Sequence, residues 1–180
     1  MTEAARVRRL DSLDDPLHLA QLCDVLIDCV DGGASVSFMH PLAPLKAEAF
    51  WRAVADGLAR LDRVLLVAQD GDQRIIGTVQ LVWAQAENQP HRGEVSKMLV
   101  HRSARRRGIG AALMTAAEQA ARDAGRSLLV LDTADGAAAR LYERLGWQRC
   151  GTIPGYALWP GGGLCATTVY FKALGPPQNV

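Results

Sequence analysis

The chain has 180 residues, 49% of them hydrophobic and 22% charged, with a net charge of +1. That balance excludes an intrinsically disordered chain and a nucleic-acid binder that works by bulk charge. No apolar run reaches the roughly 18 residues that cross a bilayer, and the start Met1-Thr2-Glu3-Ala4-Ala5-Arg6 has no hydrophobic signal region. The expectation is one cytoplasmic domain over residues 1–180, with its core over about 5–172 and a frayed tail at 173–180.

Val7–Leu10 reads as a short first strand. Ser12 and Asp14 are candidate N-caps for a helix with Pro16 near its first position, running to about Val30. Leu17, Ala20, Leu22, Val25, Leu26 and Ile27 form its apolar side, and Asp31-Gly32-Gly33-Ala34-Ser35 breaks it. The spacing of Ala47, Phe50, Trp51, Val54 and Leu58 predicts a second helix from about Pro44 to Leu61. Val64–Gln69 and Ile75–Trp83, on either side of Gly71, predict a hairpin. Residues 87–92 are polar and read as a loop, followed by a strand over 94–100, an Arg/Gly-rich turn and a helix over 109–124 that Gly125 stops. Leu128–Leu131 is a continuous apolar run, suited to a strand buried on both faces. A short helix, Ala137–Leu145, follows. Two final strands, Trp147–Ile153 and Thr167–Phe171, flank a turn-rich insert, Pro154–Gly163. The order is mixed α/β, a sheet covered by helices.

The four cysteines, at 23, 29, 150 and 165, fit neither C-x-x-C nor a zinc pattern, and read as reduced thiols. The histidines at 18, 40, 91 and 101 are scattered and form no metal-ligand set.

The most informative stretch is Arg105-Arg106-Arg107-Gly108-Ile109-Gly110-Ala111, between a strand and a helix. The N–H groups that open a helix lack helical partners, and the helix dipole places partial positive charge there. Glycines at 108 and 110 let a ligand approach the main chain. Together these make a phosphate cradle. The spacing is neither a P-loop nor a dinucleotide fingerprint. Arg105-x-x-Gly108-x-Gly110 resembles the pyrophosphate-binding turn, Gln/Arg-x-x-Gly-x-Gly/Ala, of the GCN5-related N-acetyltransferases (GNAT). Leu141-Tyr142-Glu143-Arg144-Leu145-Gly146-Trp147 is similar to a second box of that family, and the element order from about 5 to 172 matches as well. Gly32–Met39, Glu94–Val100 and Gly155-Tyr156 through Thr167–Lys172 look more narrowly like the tabtoxin-resistance acetyltransferases, a subgroup that acetylates an amino-acid-like β-lactam toxin and so confers antibiotic resistance.

The resemblance implies the GNAT fold, a central, mostly antiparallel sheet with splayed strands flanked by helices. It implies acetyl-CoA as cosubstrate, no metal, and direct transfer to an amine without a covalent acetyl-enzyme. Coenzyme A would be held by the main chain of Met98, Leu99 and Val100 and by Arg105, Arg106, Arg107, Gly108, Ile109, Gly110 and Ala111. Arg106 departs from the family's usual glycine. An amine of pKa near ~10.4 costs roughly 4–5 kcal/mol to neutralise at pH 7, so a base is needed. Glu94 is the first candidate and Asp132 the second. Tyr142 is the candidate proton donor to the departing thiolate, facing the ligand from a short helix whose Leu141 and Leu145 pack. Ser35, Phe38, Met39 and Tyr156 are the candidate acceptor contacts, from loops at 31–42 and 154–163; a third loop, 84–92, carries Glu87, Asn88 and Arg92.

The leading expectation is therefore an N-acetyltransferase of a small-molecule amine such as tabtoxinine-β-lactam. An acetyltransferase of protein N-termini or lysines, and a coenzyme A-binding sensor without catalysis, remain as alternatives. Partners on a nucleic acid or a membrane are not expected. The family's final strands often form homodimers, and nothing in the sequence decides that point.

Overall fold

The computed structural model describes residues 5–175. Of the tail expected to fray over 173–180, Ala173 is instead the last residue of a strand and the Leu174 N–H donates to the Ser127 carbonyl, while 176–180, like 1–4, lie outside the described residues. The elements in chain order are β1 (Arg6–Leu10), α1 (Pro16–Asp31), α2 (Pro44–Ala59), β2 (Arg63–Gln69), β3 (Ile75–Trp83), β4 (Arg92–Val100), α3 (Ile109–Asp123), β5 (Leu128–Thr133), α4 (Gly136–Arg144), β6 (Gln148–Leu158) and β7 (Leu164–Ala173). The seven strands form one sheet in the order β1-β2-β3-β4-β5-β7-β6. Every pairing is antiparallel except β4 with β5.

Helix α1 starts on Asp15, whose carboxylate accepts from the Leu17 N–H, rather than on Ser12 or Asp14. The reason is register: Pro16 takes the first helical position, which leaves its neighbour as the cap. Its inner face, Leu22, Val25, Leu26, Cys29 and Val30, packs with Trp51 and Val54 of α2 and with Leu65, Val67 and Leu99 of the sheet. Helix α3 covers the opposite face, where Leu113, Met114, Ala117 and Ala121 meet Leu66, Val79, Leu81, Val95, Leu129 and Leu131.

The two helical layers are unequal in extent. Among the described residues, the core beneath α1 and α2 reaches as far as β4 and no further. On that side β5 and β7 carry no helix. Leu129 and Leu131 are buried under α3, while Leu128 and Val130 are only half-buried and Asp132 is exposed. The expectation that 128–131 is buried on both faces is thus corrected: one face of this apolar strand forms an open floor.

Within the sheet, β4 and β5 pair only at Arg92 with Leu128, Gly93 with Leu129 and Glu94 with Val130. Beyond that point β4 stays with β3 as far as Val100, and β5 stays with β7 as far as Thr133. The sheet is therefore split by a wedge between its two parallel strands. A register shift on β3 between Thr78 and Gln80, opposite a left-handed Lys97 (φ 50°), marks a bulge on β4 just past the last pair. Bulges bend the strand that carries them and increase its twist.

Half of the expected turn-rich insert at 154–163 is strand. β6 runs on to Leu158, with register shifts at Arg149/Gly151 and Ile153/Ala157, and only 159–163 turns the chain. Pro154 is tolerated because β6 is the outermost strand and 154 falls in a bulge.

Gly93 sits at the root of the wedge. A Cβ there would lie 2.9 Å from two carbons of the buried Trp83 ring and 3.1 Å from Leu129 Cδ2. Gly93→Ala is expected to cost about 1–3 kcal/mol by overpacking. A thermal melt should show a midpoint lower by roughly 2–10 °C.

Candidate active site

The segment from 101 to 110 is built onto the last turns of α1. The nearly buried Asp28 carboxylate accepts the Arg102 N–H at 2.8 Å and also binds the Arg102 guanidinium, while His101 Nε2 lies 3.4 Å from it. Arg105 Nε donates to the Val100 carbonyl at 3.1 Å, and its terminal nitrogen reaches Cys29 Sγ. The exposed Arg105 side chain is thus partly engaged in fastening the turn to α1 and the end of β4. Arg106 (φ 61°) and Gly108 (φ 78°) are both left-handed. That explains why glycine suits position 106: an arginine there holds a conformation that costs other residues energy.

Gly108 caps α3 in the left-handed state, with no side-chain cap, and a Cβ there would meet nothing within 4 Å. The helix therefore begins with free N–H groups at an open surface. Gly110 also serves packing: its Cβ position lies 3.1 Å from Leu141 Cδ2, so this glycine lets α4 approach α3. Ile109 and Leu99 have buried side chains, so only their main chains can face the wedge.

On the other side of the wedge lies the floor left open by α1 and α2. Glu94 pairs with Val130 and Asp132 follows two residues on, so the two carboxylates share that face. Asp132 Oδ2 accepts from the Thr167 hydroxyl at 2.6 Å. Lys97, thrown onto the same face by the bulge, donates from Nζ to Ser37 Oγ at 3.2 Å and stands 5.7 Å from the centre of the Phe50 ring. Burial holds its amine below the usual lysine range, and the attraction of Asp132 and Glu94 partly offsets that effect.

The loop between α1 and α2 walls this face. Phe38 meets Phe50 edge-on at 5.4 Å, with Lys46 Nζ 6.0 Å from its ring centre. The Ser35 hydroxyl donates to the Leu158 carbonyl at 3.1 Å, and the His40 N–H donates to the Pro160 carbonyl at 2.9 Å. Ser35 therefore ties the loop to the β6–β7 turn, instead of being left free for an acceptor. Met39 (44% exposed) and Tyr156 (57% exposed) remain available. The loop at 84–92 leads from β3 into the end of β4 that is paired with β5, away from the wedge, and Arg92 there binds Gln89.

Tyr142 is the buried residue of α4, at 5% exposure, while Leu141 and Leu145 are half-buried. Leu141 and Leu145 do pack, against Gly110 and the core, but Tyr142 is the most buried of the three, which corrects its expected outward placing. Its ring sits 6.1 Å from those of Trp147 and Tyr170. Burial first, then the charges of Asp135 and Asp132, push the phenol well above its ordinary range. The hydroxyl end thus lies within electrostatic reach of Asp132. Burial also pushes the Cys23 and Cys29 thiols up, so neither is an activated nucleophile.

Sequence reasoning passed over Lys97. The signal was present, since a lysine interrupts the central strand just before the apolar run Met98-Leu99-Val100.

A family model for the acetyltransferase (GNAT) domain matches residues 61–149, from β2 through the start of β6. An uncharacterized N-acetyltransferase from the hisH–hisA intergenic region of Azospirillum brasilense is 33% identical over 128 residues, covering 70% of this chain and 73% of that protein. The chain belongs to the GNAT acetyltransferase family. Solved structures agree on the fold. A phosphinothricin acetyltransferase from Sinorhizobium meliloti, in complex with acetyl-CoA, aligns with a TM-score of 0.82 at 18% identity over 96% of this chain and 90% of that one. A ribosomal-protein-alanine N-acetyltransferase from Brucella melitensis aligns with a TM-score of 0.76 at 21% identity over 93% and 99%. This chain is an N-acetyltransferase.

The Tyr142 environment gives a pH prediction. A phenol held neutral in the fold adds stability below the unfolded value near ~10 and loses it as pH rises past that value. The difference in phenolate absorbance between wild type and Tyr142→Phe should stay flat through pH ~10 and rise only above it. A rise at or below that pH would contradict the buried setting.

Proposed function

We propose that this enzyme transfers the acetyl group of acetyl-CoA directly to the amine of a small molecule, with amino-acid-like toxins such as tabtoxinine-β-lactam as the acceptor class. The observation that carries the reading is the wedge between β4 and β5, with the uncapped N-terminus of α3 at its mouth. One edge of β4 is left without a neighbouring strand from Val95 to Val100. An extended pantetheine arm fits there as an added strand along Met98–Val100, and a pyrophosphate fits the free N–H groups from 107 to 111. The exposed Arg106 and Arg107 add screened charge beside it.

Acetyl-CoA supplies an activated acyl group on a thioester. The acceptor nitrogen attacks the thioester carbonyl; its N–C bond forms, and its proton passes to Glu94 or Asp132, directly or through water. The carbon–sulfur bond breaks, and Tyr142, kept protonated by burial, gives its proton to the sulfur. The Thr167 hydroxyl fixes one oxygen of Asp132 and so sets which way the other faces. The bridges from Ser35 to Leu158 and from His40 to Pro160 run across the acceptor side. They support a compact acceptor over an extended protein N-terminus.

Saturating acetyl-CoA, at a hundred times Kd, should stabilise the fold by about 2.7 kcal/mol, a rise in Tm of roughly 5–10 °C. Gly108→Val, which strains a left-handed cap, should remove most of that rise. In assays of thiol release with an amine panel, Asp132→Asn should lower kcat by about 10²–10⁴-fold if Asp132 is the base. No rise in Tm at millimolar acetyl-CoA would sink the reading.

A further inference from the structure

The acceptor face carries charges of both signs, and they are segregated. Glu94 and Asp132 stand on β4 and β5, over the wedge. Lys97 stands against the wall made by α2 and the α1–α2 loop, where its ammonium touches Ser37 and overlies Phe50. Lys46 approaches the other ring of the same aromatic pair.

An ammonium has three N–H donors, and Lys97 spends one on Ser37. Among the described residues it makes no ion pair within 4.0 Å, in a half-buried position where an unpaired charge is costly. Its compensation is the longer-range attraction of Asp132 and Glu94. An incoming acceptor disturbs that balance. Its own ammonium is drawn to the same two carboxylates, which sets a second positive charge beside Lys97. A plain amine meets this repulsion in full. An amine that carries a carboxylate near the reacting nitrogen cancels it, because the carboxylate falls to the two free donors of Lys97.

We propose that Lys97 receives the carboxylate of the acceptor and makes the site selective for zwitterionic, amino-acid-type amines. This rests on the acetyl-CoA-dependent reading above and adds the residue that reads the acceptor. The strained backbone of Lys97 (φ 50°) fits such a role, since it aims a side chain that a regular strand would place elsewhere.

The test compares kcat/KM for a set of L-amino acids with kcat/KM for the amines left when their carboxylates are removed. Wild type should favour the amino acids at least tenfold. In Lys97→Met that ratio should fall at least tenfold, through KM for the amino acids, and Lys97→Arg should recover part of it. A lysine that only supports Glu94 and Asp132 would instead change kcat and its pH profile alike for both series, leaving the ratio where it was. The Tm of each variant with and without acetyl-CoA reads the fold and the first site separately. Loss of the acetyl-CoA shift in wild type would overturn the acetyltransferase reading itself. A normal shift with a wild-type ratio near one, with an unchanged ratio in Lys97→Met, or with neither series acetylated, would overturn the role of Lys97 alone.

Discussion

Three residue pairs hold β4 to β5, and everything functional in this molecule follows from there being no fourth. Backbone amides left without partners inside a sheet are normally costly, because each must find a hydrogen bond somewhere. Here the loss is confined to the ends of two strands that stay anchored on their outer sides, β4 by β3 and β5 by β7. The sheet can therefore open in its middle without either half coming loose. Gly93 lets Trp83 and Leu129 close over the root of the opening, and the bulge at Lys97 turns β4 away immediately beyond it.

The opening separates two kinds of chemistry. Toward α3 the wedge meets main-chain N–H groups and a helix dipole, which suit phosphate. Toward α1 and α2 it meets two carboxylates, a lysine and a pair of phenyl rings, which suit a polar acceptor. The asymmetry of the helical layers produces this division. Because α1 and α2 stop at β4, no helix covers β5 and β7 on that face, and the exposed Asp132 meets the buried Thr167 hydroxyl there.

Much of the frame was legible from residue patterns. Periodicity located the helices to within two residues, and the hairpin at 64–83 followed from two apolar runs around a turn. The Arg/Gly turn announced its chemistry because glycine and helix-start signals are local. What stayed hidden depends on pairing across the chain. The wedge is a register event between strands that lie about 30 residues apart in sequence. The one-sided burial of 128–131 depends on where α1 and α2 end, so an apolar run read alone suggests two covered faces. Ser35 looked like a free hydroxyl because its partner, the Leu158 carbonyl, is 123 positions away. Tyr142 looked outward because a nine-residue helix offers too few turns to decide its inner face.

The last turn of α1 connects the two halves of the site mechanically. Asp28 grips Arg102 and Cys29 touches Arg105, so the segment that precedes α3 is fastened to this turn of helix. Gly32 closes the same turn, with its Cβ position 3.6 Å from the Arg105 guanidinium, and the loop holding Ser35, Ser37 and Phe38 begins there. A lever this short has no slack. The mouth of the wedge and the wall that carries Ser37 and Phe38 are therefore rooted in one turn of helix, and neither shifts without straining the anchor of the other.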